Sequence, residues 1–100
     1  MRVIARSTLK AFYEDNPHYA DAKEPLEAWY REALKAAWTS PGELKEQFRS
    51  ASILKNGRVV FNIAGNKYRL VVRINFKAGI MFIRFIGTHK QYDAINPEEV

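Results

Sequence analysis

The chain has 100 residues, of which 47% are hydrophobic and 13% aromatic, and its formal net charge at pH 7 is +5. This composition is typical of one globular domain spanning residues 1–100 and argues against a disordered chain. Cysteine is absent, which excludes disulfides and cysteine-based zinc sites, and we find neither a signal peptide nor a membrane-spanning run, so we expect a cytoplasmic protein.

The first half of the chain is predicted to be mainly helical. Residues 2–5 fit a short strand, and Ser7 is a candidate N-cap for a helix that ends near Asp15. Residues 15–25, which include two prolines, break this pattern. A second helix is predicted to begin at residue 25 or 26 and to run to residue 38, since apolar side chains recur there at spacings of three and four.

A short third helix is predicted to begin after Ser40. Ser40 can act as the N-cap, Pro41 suits the first helical position, and Glu43 would complete a capping box with Ser40. Leu44 and Phe48 would then both face inward, because residues four apart lie on the same side of a helix.

In the second half of the chain the apolar period changes from three or four residues to two. Strands are predicted over residues 58–63, 68–76 and 80–86, and the turns between them over residues 64–67 and 77–79, which contain glycine. We therefore predict an α+β fold in which the N-terminal helices pack on one face of a small antiparallel sheet.

Alternate residues of these strands point to opposite faces of the sheet. One face is apolar and would be covered by the helices; it holds Val59, Phe61, Ile63, Tyr68, Leu70, Val72, Ile74, Phe76, Met81, Ile83 and Phe85. The opposite face, here called the mixed face, holds Arg58, Val60, Asn62, Arg69, Val71, Arg73, Asn75, Phe82 and Arg84. If the strands align, its four arginines share one surface, and its apolar residues form either a minor core or a floor on which a base rests.

The charge of this half of the chain is one-sided. Residues 47–92 contain nine lysines and arginines and no acidic residue. Such a field attracts a polyanion, usually RNA or DNA, although a solubilising surface is the alternative. Like charges on neighbouring strands repel each other, whereas guanidinium groups bind phosphates in a bidentate manner. The pattern therefore favours a phosphate-binding face.

Four polar side chains follow the last predicted strand within the stretch "FIGTHKQYD": His89, Lys90, Tyr92 and Asp93. They form either a polar loop after a buried strand or an active site at its end. A neutral imidazole can accept a proton from a ribose hydroxyl, while Tyr92 and Lys90 can donate protons and arginines can stabilise a pentacovalent phosphorane. These groups suffice for RNA cleavage without a metal ion or other cofactor. Asp93 could instead simply cap a final turn.

Two segments of this half carry a resemblance to a known family. "VFNIAGNKYRLVVRI", followed by "FIRFIGTHKQYD", closely resembles the HigB family of bacterial toxins, which belongs to the RelE superfamily of mRNA interferases. The helical first half matches more loosely. The resemblance implies a RelE-like fold and a toxin that cuts mRNA, typically in the ribosomal A site. It also implies a helix-turn-helix antitoxin of the HigA type as partner.

The resemblance also implies roles for individual residues. Arg69 falls where RelE-type toxins keep a phosphate-stabilising arginine, His89 where many have a basic residue after the last strand, and Tyr92 close to their C-terminal tyrosine. In the first strand of the meander, Val60 and Asn62 replace lysines of RelE itself. This leaves the general base open: His89 is the candidate, with Lys67 or Lys90 as substitutes.

The first hypothesis is therefore a metal-independent endoribonuclease toxin. It assigns catalysis to Arg69, His89, Lys90 and Tyr92, and RNA binding to Arg58, Asn62, Lys67, Arg73 and Arg84. Within this set, Arg73 and Arg84 are expected to join Arg69 at the scissile phosphate. The alternatives are a non-catalytic RNA-binding module that uses the same basic face, and a structural domain that docks an acidic protein partner.

Overall fold

The computed structural model describes all 100 residues. In chain order the elements are β1 (Arg2–Ile4), α1 (Arg6–Glu14), a 3₁₀ helix (Pro17–Ala22), α2 (Lys23–Lys35), α3 (Pro41–Gln47), β2 (Ser52–Ile53), β3 (Arg58–Ile63), β4 (Tyr68–Asn75), β5 (Ile80–Thr88) and α4 (His89–Asp93). None of these helices has the length and apolar character that crossing a membrane requires.

The five strands form one open sheet in the order β1-β5-β4-β3-β2. The meander β3-β4-β5 is antiparallel as predicted, and the α+β class with N-terminal helices is confirmed. Two edge strands complete the sheet. The two-residue strand β2 pairs antiparallel with β3, and β1 pairs parallel with β5. The parallel pairing requires a long connection, which the N-terminal helices between β1 and the meander provide.

The hydrophobic core lies between the helices and the predicted apolar face. Phe61 of β3 is at its centre: its ring lies 5.3 Å from that of Trp29 and 5.1 Å from that of Phe48, both in edge-to-face geometry. Leu26 of α2 and Leu44 of α3 are almost completely buried beside them. Burying each such side chain contributes about 1.5–3 kcal/mol, and this packing holds the helices on the sheet.

Two predicted helix starts differ in their detail. The N-cap position of α1 is Ala5, without a side-chain hydrogen bond, so the prediction that Ser7 caps this helix is wrong. The Oγ of Ser40 does cap α3, accepting a hydrogen bond from the Glu43 amide at 3.3 Å. The Glu43 carboxylate, however, accepts from the amide of Thr39 at 2.8 Å and from the Thr39 hydroxyl. The cap therefore reaches one residue further back than a capping box does.

The second helix ends three residues earlier than predicted. Ala36 adopts extended backbone angles, so α2 stops at Lys35. Trp38 is nevertheless buried, as its apolar spacing indicated, and its indole N–H donates to the side-chain oxygen of Gln47 at 3.0 Å. Its burial is thus achieved by the loop between α2 and α3 rather than by the helix itself.

A β-bulge in β5 changes which residues face the helices. The β4–β5 register shifts between Val71 and Val72, and Arg84 is left without a partner on β4. After the bulge the alternation is inverted, so Phe85 lies on the mixed face and Ile86 packs against the core. The prediction that Phe85 shares the apolar face is wrong for this reason.

The C-terminal residues 94–100 return across the mixed face. They leave α4 near the Arg69 end of the strands, and the carbonyl oxygen of Val100 accepts a hydrogen bond from Arg58 at the opposite end. Val60 and Val71 pair with each other between these two points and are 3% and 0% exposed. They therefore form a minor core, which excludes them as a floor for a base.

Candidate active site

The candidate site is built where β5 passes directly into α4. Thr88 is the last residue of β5 and the N-cap of α4. Its hydroxyl accepts from the amide of Gln91 at 3.1 Å, while the Gln91 side-chain oxygen accepts from the Thr88 amide at 2.9 Å. This reciprocal capping box fixes the first turn of α4 against the sheet. The side chains of His89 and Tyr92 are therefore presented from a defined helical turn rather than from a loop.

His89 is paired with Asp93 four residues further along α4. The imidazole Nδ1 lies 3.1 Å from the Asp93 carboxylate, and the two side chains are 51% and 61% exposed. Because a carboxylate can only accept, Nδ1 must carry the proton of this hydrogen bond. In the neutral imidazole the lone pair is then on Nε2, which is the atom available to accept a proton.

Arg69 lies on the central strand β4, beside this turn. It is partly exposed, its guanidinium carbon is 5.9 Å from the centre of the Tyr92 ring, and it donates to the carbonyl of Asn66 at 3.1 Å. Its cross-strand neighbours are Asn62 on β3 and Gly87 on β5. The structure thus brings Arg69, Asn62 and Tyr92 together at the end of the sheet that also carries His89.

Gly87 permits the close approach of the Phe85 ring and the Gln91 side chain to the backbone of β5. A Cβ atom built at this position would lie 2.6 Å from the ring of Phe85 and 2.7 Å from the side-chain oxygen of Gln91. Both distances are shorter than van der Waals contact. Any other residue here would displace the Phe85 ring or the Gln91 side chain from its position over the strand beside Arg69.

Lys67 is engaged elsewhere. Its ammonium group forms a salt bridge with Asp21 of the 3₁₀ helix, and the Tyr68 hydroxyl donates to the same carboxylate. The hydrogen bond to Asp21 raises the pKa of Lys67, and the hydrogen bonds from Lys67 and Tyr68 lower the pKa of Asp21. A lysine with a raised pKa stays protonated at neutral pH and has no free lone pair to accept a proton, which argues against Lys67 as the general base.

Arg58 is buried at the other end of the mixed face. It is 9% exposed, and its two terminal nitrogens donate to the carbonyls of Asn56, at 2.9 Å, and Val100, at 2.6 Å. The expectation that Arg58 is one of the exposed arginines of this face is not met. The cause is the returning C-terminal segment, which covers this side chain.

Three further predicted cations remain exposed: Arg73, Arg84 and Lys90. None of them takes part in a salt bridge of the chain. Arg73 is the cross-strand neighbour of Arg58 and lies four positions from Arg69, about 13 Å along the strand. That Arg73 and Arg84 join Arg69 at the scissile phosphate stays a prediction. Arg84 is the unpaired residue of the bulge, and Lys90 projects from the first turn of α4.

Two side chains of the site have roles that were not predicted from the sequence. One is Asp93, whose spacing of four from His89 indicates a shared helix face once α4 is recognised. The other is Gln91, whose spacing of three from Thr88 is the signature of a capping box. Both signals were present in the sequence. No group of three or more histidine and acidic side chains lies close enough together to hold a metal ion.

Comparison with known proteins identifies the family. Residues 22–95 match the family model described as HigB_toxin, the RelE-like toxic component of a toxin-antitoxin system. The chain belongs to the HigB toxin family. The matched segment runs from the end of the 3₁₀ helix through α4, so the whole HigB candidate site lies inside it.

Individual HigB relatives extend the match over nearly the full chain. The "mRNA interferase toxin HigB" of Escherichia coli (strain K12) is 33% identical over 95 residues, which cover 93% of this chain and 88% of that protein. The "mRNA interferase HigB" of Shigella flexneri gives the same values. The "mRNA interferase HigB" of Escherichia coli O6:H1 is 26% identical over 97 residues, covering 95% and 91%. The resemblance to HigB toxins noted in the sequence is thereby confirmed.

Proposed function

We propose that this HigB-family protein is an endoribonuclease that cleaves mRNA by transesterification from the ribose 2′-hydroxyl. The observation that carries the proposal is the meeting of Arg69, Tyr92 and the His89–Asp93 pair where β5 ends. These groups supply a proton acceptor, a cation for the phosphate and a proton donor. The relatives named as mRNA interferases support the choice of substrate.

In the proposed mechanism His89 is the general base. Its Nε2 accepts the proton of the 2′-hydroxyl, and the oxygen attacks the adjacent phosphorus. Asp93 holds the Nδ1 proton and stabilises the imidazolium that forms. His89 is preferred to Lys67 as the general base because the hydrogen bond to Asp21 raises the pKa of Lys67.

Arg69 stabilises the additional negative charge on the phosphorane, as preorganised donors do in acyl and phosphoryl transfer. The 5′-oxygen then leaves and takes a proton from Tyr92 or Lys90. The products are a 2′,3′-cyclic phosphate and a 5′-hydroxyl. Asn62, the cross-strand neighbour of Arg69, donates to the carbonyl of Ser50 at 3.3 Å, so its side-chain oxygen is the atom left to orient the nucleotide.

We further propose that cleavage takes place on the translating ribosome. The catalytic side chains are exposed, with His89 and Asp93 more than half accessible, and no cleft surrounds them. A site of this kind offers few groups that could position an RNA chain unaided. The ribosome would supply that positioning, which also places the protein in the cytoplasm.

The proposed regulator is a HigA-like helix-turn-helix antitoxin. The family is the toxic half of a toxin-antitoxin pair, and the exposed cations Arg73, Arg84 and Lys90 suit an acidic covering segment. Growth arrest on expression of this chain alone, relieved by co-expression of the neighbouring gene, would support this assignment. Arrest that the neighbouring gene does not relieve would contradict it.

The direct test uses the purified chain with mRNA, in the presence and absence of translating ribosomes. We expect cleavage within the reading frame with ribosomes and little or none with RNA alone. The second candidate function, a non-catalytic RNA-binding module on the same basic face, instead predicts salt-dependent binding with intact RNA in both conditions. Intact mRNA in the presence of translating ribosomes would therefore contradict the proposed nuclease activity.

A further inference from the structure

A pocket of about 760 Å³ lies at the opposite end of the mixed face from His89. Its lining includes Asn56, Arg58, Arg73, Asn75, Phe76 and Phe82. It is placed where β3 begins and β4 ends, next to the start of β5. None of the proposed catalytic side chains contributes to it, so it is a separate feature of the molecule.

Two arginines and no acidic residue line the pocket. Arg73 is exposed and forms no salt bridge. Arg58 is nine-tenths buried in the wall, and its Nε atom is a buried donor without an acceptor. The Nε atom is enclosed in the wall, so a ligand would contact the exposed guanidinium group of Arg73, and the buried Arg58 adds positive charge beside it.

The uncharged groups of the pocket suit a nucleobase. Phe82 is partly exposed and is the cross-strand neighbour of Arg73, so an aromatic face lies beside the cation. The amide of Asn56 donates to the Glu98 carbonyl at 3.3 Å, which leaves its oxygen free to accept. The side-chain oxygen of Asn75 accepts from the Ala78 amide at 2.9 Å, which leaves its NH₂ group free to donate. One acceptor and one donor are therefore available to read the edge of a base.

We propose that this pocket binds a nucleotide that flanks the cleavage site on the same RNA strand. Arg73 contacts its phosphate, Phe82 stacks on its base, and Asn56 and Asn75 read the base edge. The proposal rests on the proposed RNA-cleaving function and adds a specificity site to it. An acidic peptide would use the two arginines but would leave the aromatic ring and the amide pair without a role, so RNA is favoured.

The position of the pocket fits a flanking nucleotide rather than the cleaved one. Arg73 lies about 13 Å from Arg69 along β4, which is more than the length of one nucleotide. The strand β5 connects the two ends, with Phe85 near the candidate active site, Arg84 at the bulge and Phe82 at the pocket. Surfaces that bind single-stranded RNA combine stacking aromatic rings with cations, and β5 carries both kinds of group.

Binding is tested with a hexaribonucleotide of mixed sequence that carries 2′-O-methyl groups and therefore cannot be cleaved. Its addition to the isotope-labelled full chain is followed by NMR. We expect shifts at Arg73, Asn75 and Phe82. We also expect about tenfold weaker binding for both Arg73→Ala and Phe82→Leu, with a shallower salt dependence for Arg73→Ala. Lys77→Ala is the matched control, since Lys77 is an exposed cation on the adjacent turn that does not line the pocket.

Two results would overturn the proposal. One is hexanucleotide binding that Arg73→Ala and Phe82→Leu leave unchanged. The other is displacement of the hexanucleotide from these residues by a hexaglutamate peptide that binds more tightly, which would identify an acidic protein segment as the occupant.

Ribosomal cleavage assays separate this proposal from the proposed function. We expect Arg73→Ala to raise KM more than it lowers kcat and to relax the preference for one base near the cut. A wild-type chain that binds the hexanucleotide in the pocket but never cleaves mRNA would support the nucleotide-binding pocket and contradict the proposed nuclease activity. A wild-type chain that cleaves mRNA but shows no NMR shift at the pocket residues would contradict only the proposal that the pocket binds a nucleotide.

Discussion

Two arginines on the same face of the sheet, Arg69 and Arg58, stand in opposite environments. Arg69 is partly exposed beside Tyr92 and uses one nitrogen on a neighbouring carbonyl. Arg58 is buried under the C-terminal segment, with both terminal nitrogens bonded to backbone oxygens. The residue type and the strand alternation are the same at both positions. The C-terminal segment covers Arg58 and leaves Arg69 accessible. Arg69 can therefore contact a substrate, whereas Arg58 stabilises the fold.

The largest expected effect is a loss of cleavage activity on substitution at the exposed end of the mixed face, beside Arg69. Arg69→Ala and His89→Ala should each lower the rate of mRNA cleavage on ribosomes by about 10²- to 10³-fold, because they remove phosphorane stabilisation and the proton acceptor. Neither should change the thermal unfolding midpoint appreciably, since both side chains are at least partly exposed. Lys77→Ala is the control for loss of an exposed cation. Cleavage at the control rate by either variant would remove our site assignment.

Substitution of Arg58, at the covered end of the mixed face, should lower the stability of the fold. Arg58→Ala removes two charged hydrogen bonds and leaves the carbonyl of Val100 unsatisfied, so we expect the free energy of unfolding to fall by about 2–3 kcal/mol. Denaturant titration of this variant and of Arg69→Ala provides the comparison. Equal stability losses in the two variants would show that the two ends are not different in the way described.

An intermediate effect is expected at Gly87, where the backbone of β5 meets the first turn of α4. Gly87→Ala places a methyl group within 2.7 Å of Phe85 and Gln91, and such overpacking costs about 1–3 kcal/mol. Because Gln91 is part of the capping box, cleavage should also decrease through displacement of α4. Gly42→Ala in α3 is the matched control and should keep full activity if the effect is local, since a Cβ there meets only the Ser40 Oγ, at an ordinary contact distance of 3.7 Å.

The smallest effect concerns the Lys67–Asp21 salt bridge. The pKa of Asp21 is lowered by its hydrogen bonds from Lys67 and Tyr68, from an ordinary value of 3.8. A carboxyl group with a lowered pKa stabilises the fold above its ordinary pKa and loses this contribution as the pH falls through the folded value. The stability difference between the wild type and Asp21→Asn should therefore be present at pH 7 and shrink below pH 3.8.

The pair also has an alkaline limit. The pKa of Lys67 is raised above its ordinary value of 10.5, so its contribution is complete below that pH and is lost only as the pH rises through the folded value. Denaturant titrations of the wild type and Asp21→Asn at several pH values measure both limits. A difference that stays constant from acid to alkaline pH would show that the salt bridge does not contribute.

Much of the fold could be predicted from local pattern. The period of two in residues 58–63 gives β3 with its observed bounds, and the glycine-containing turn after it closes the β3–β4 hairpin. The register then places Asn62 opposite Arg69 and Arg58 opposite Arg73. These features depend on neighbours in the sequence, which is why alternation and turn chemistry were sufficient.

The features that were missed depend on contacts between distant residues. The bulge at Arg84 inverts the faces of β5, and alternation read along one strand contains no sign of it. The burial of Arg58 requires the carbonyl of Val100, 42 positions away. The role of Asp93 was missed for a different reason: it depends on a helix over residues 89–93, which the sequence signals through the Thr88 and Gln91 capping box and which was not predicted.

The most direct test of the central claim is the chemistry of the cut itself, measured on a short ribosome-bound mRNA carrying either ribose or 2′-deoxyribose at the cleaved nucleotide. If His89 activates the 2′-hydroxyl and Arg69 receives the phosphorane, the ribose substrate is cut to a 2′,3′-cyclic phosphate and a 5′-hydroxyl, and the deoxyribose substrate stays intact. Cleavage of both substrates at similar rates, or products with a 3′-hydroxyl and a 5′-phosphate, would contradict the account.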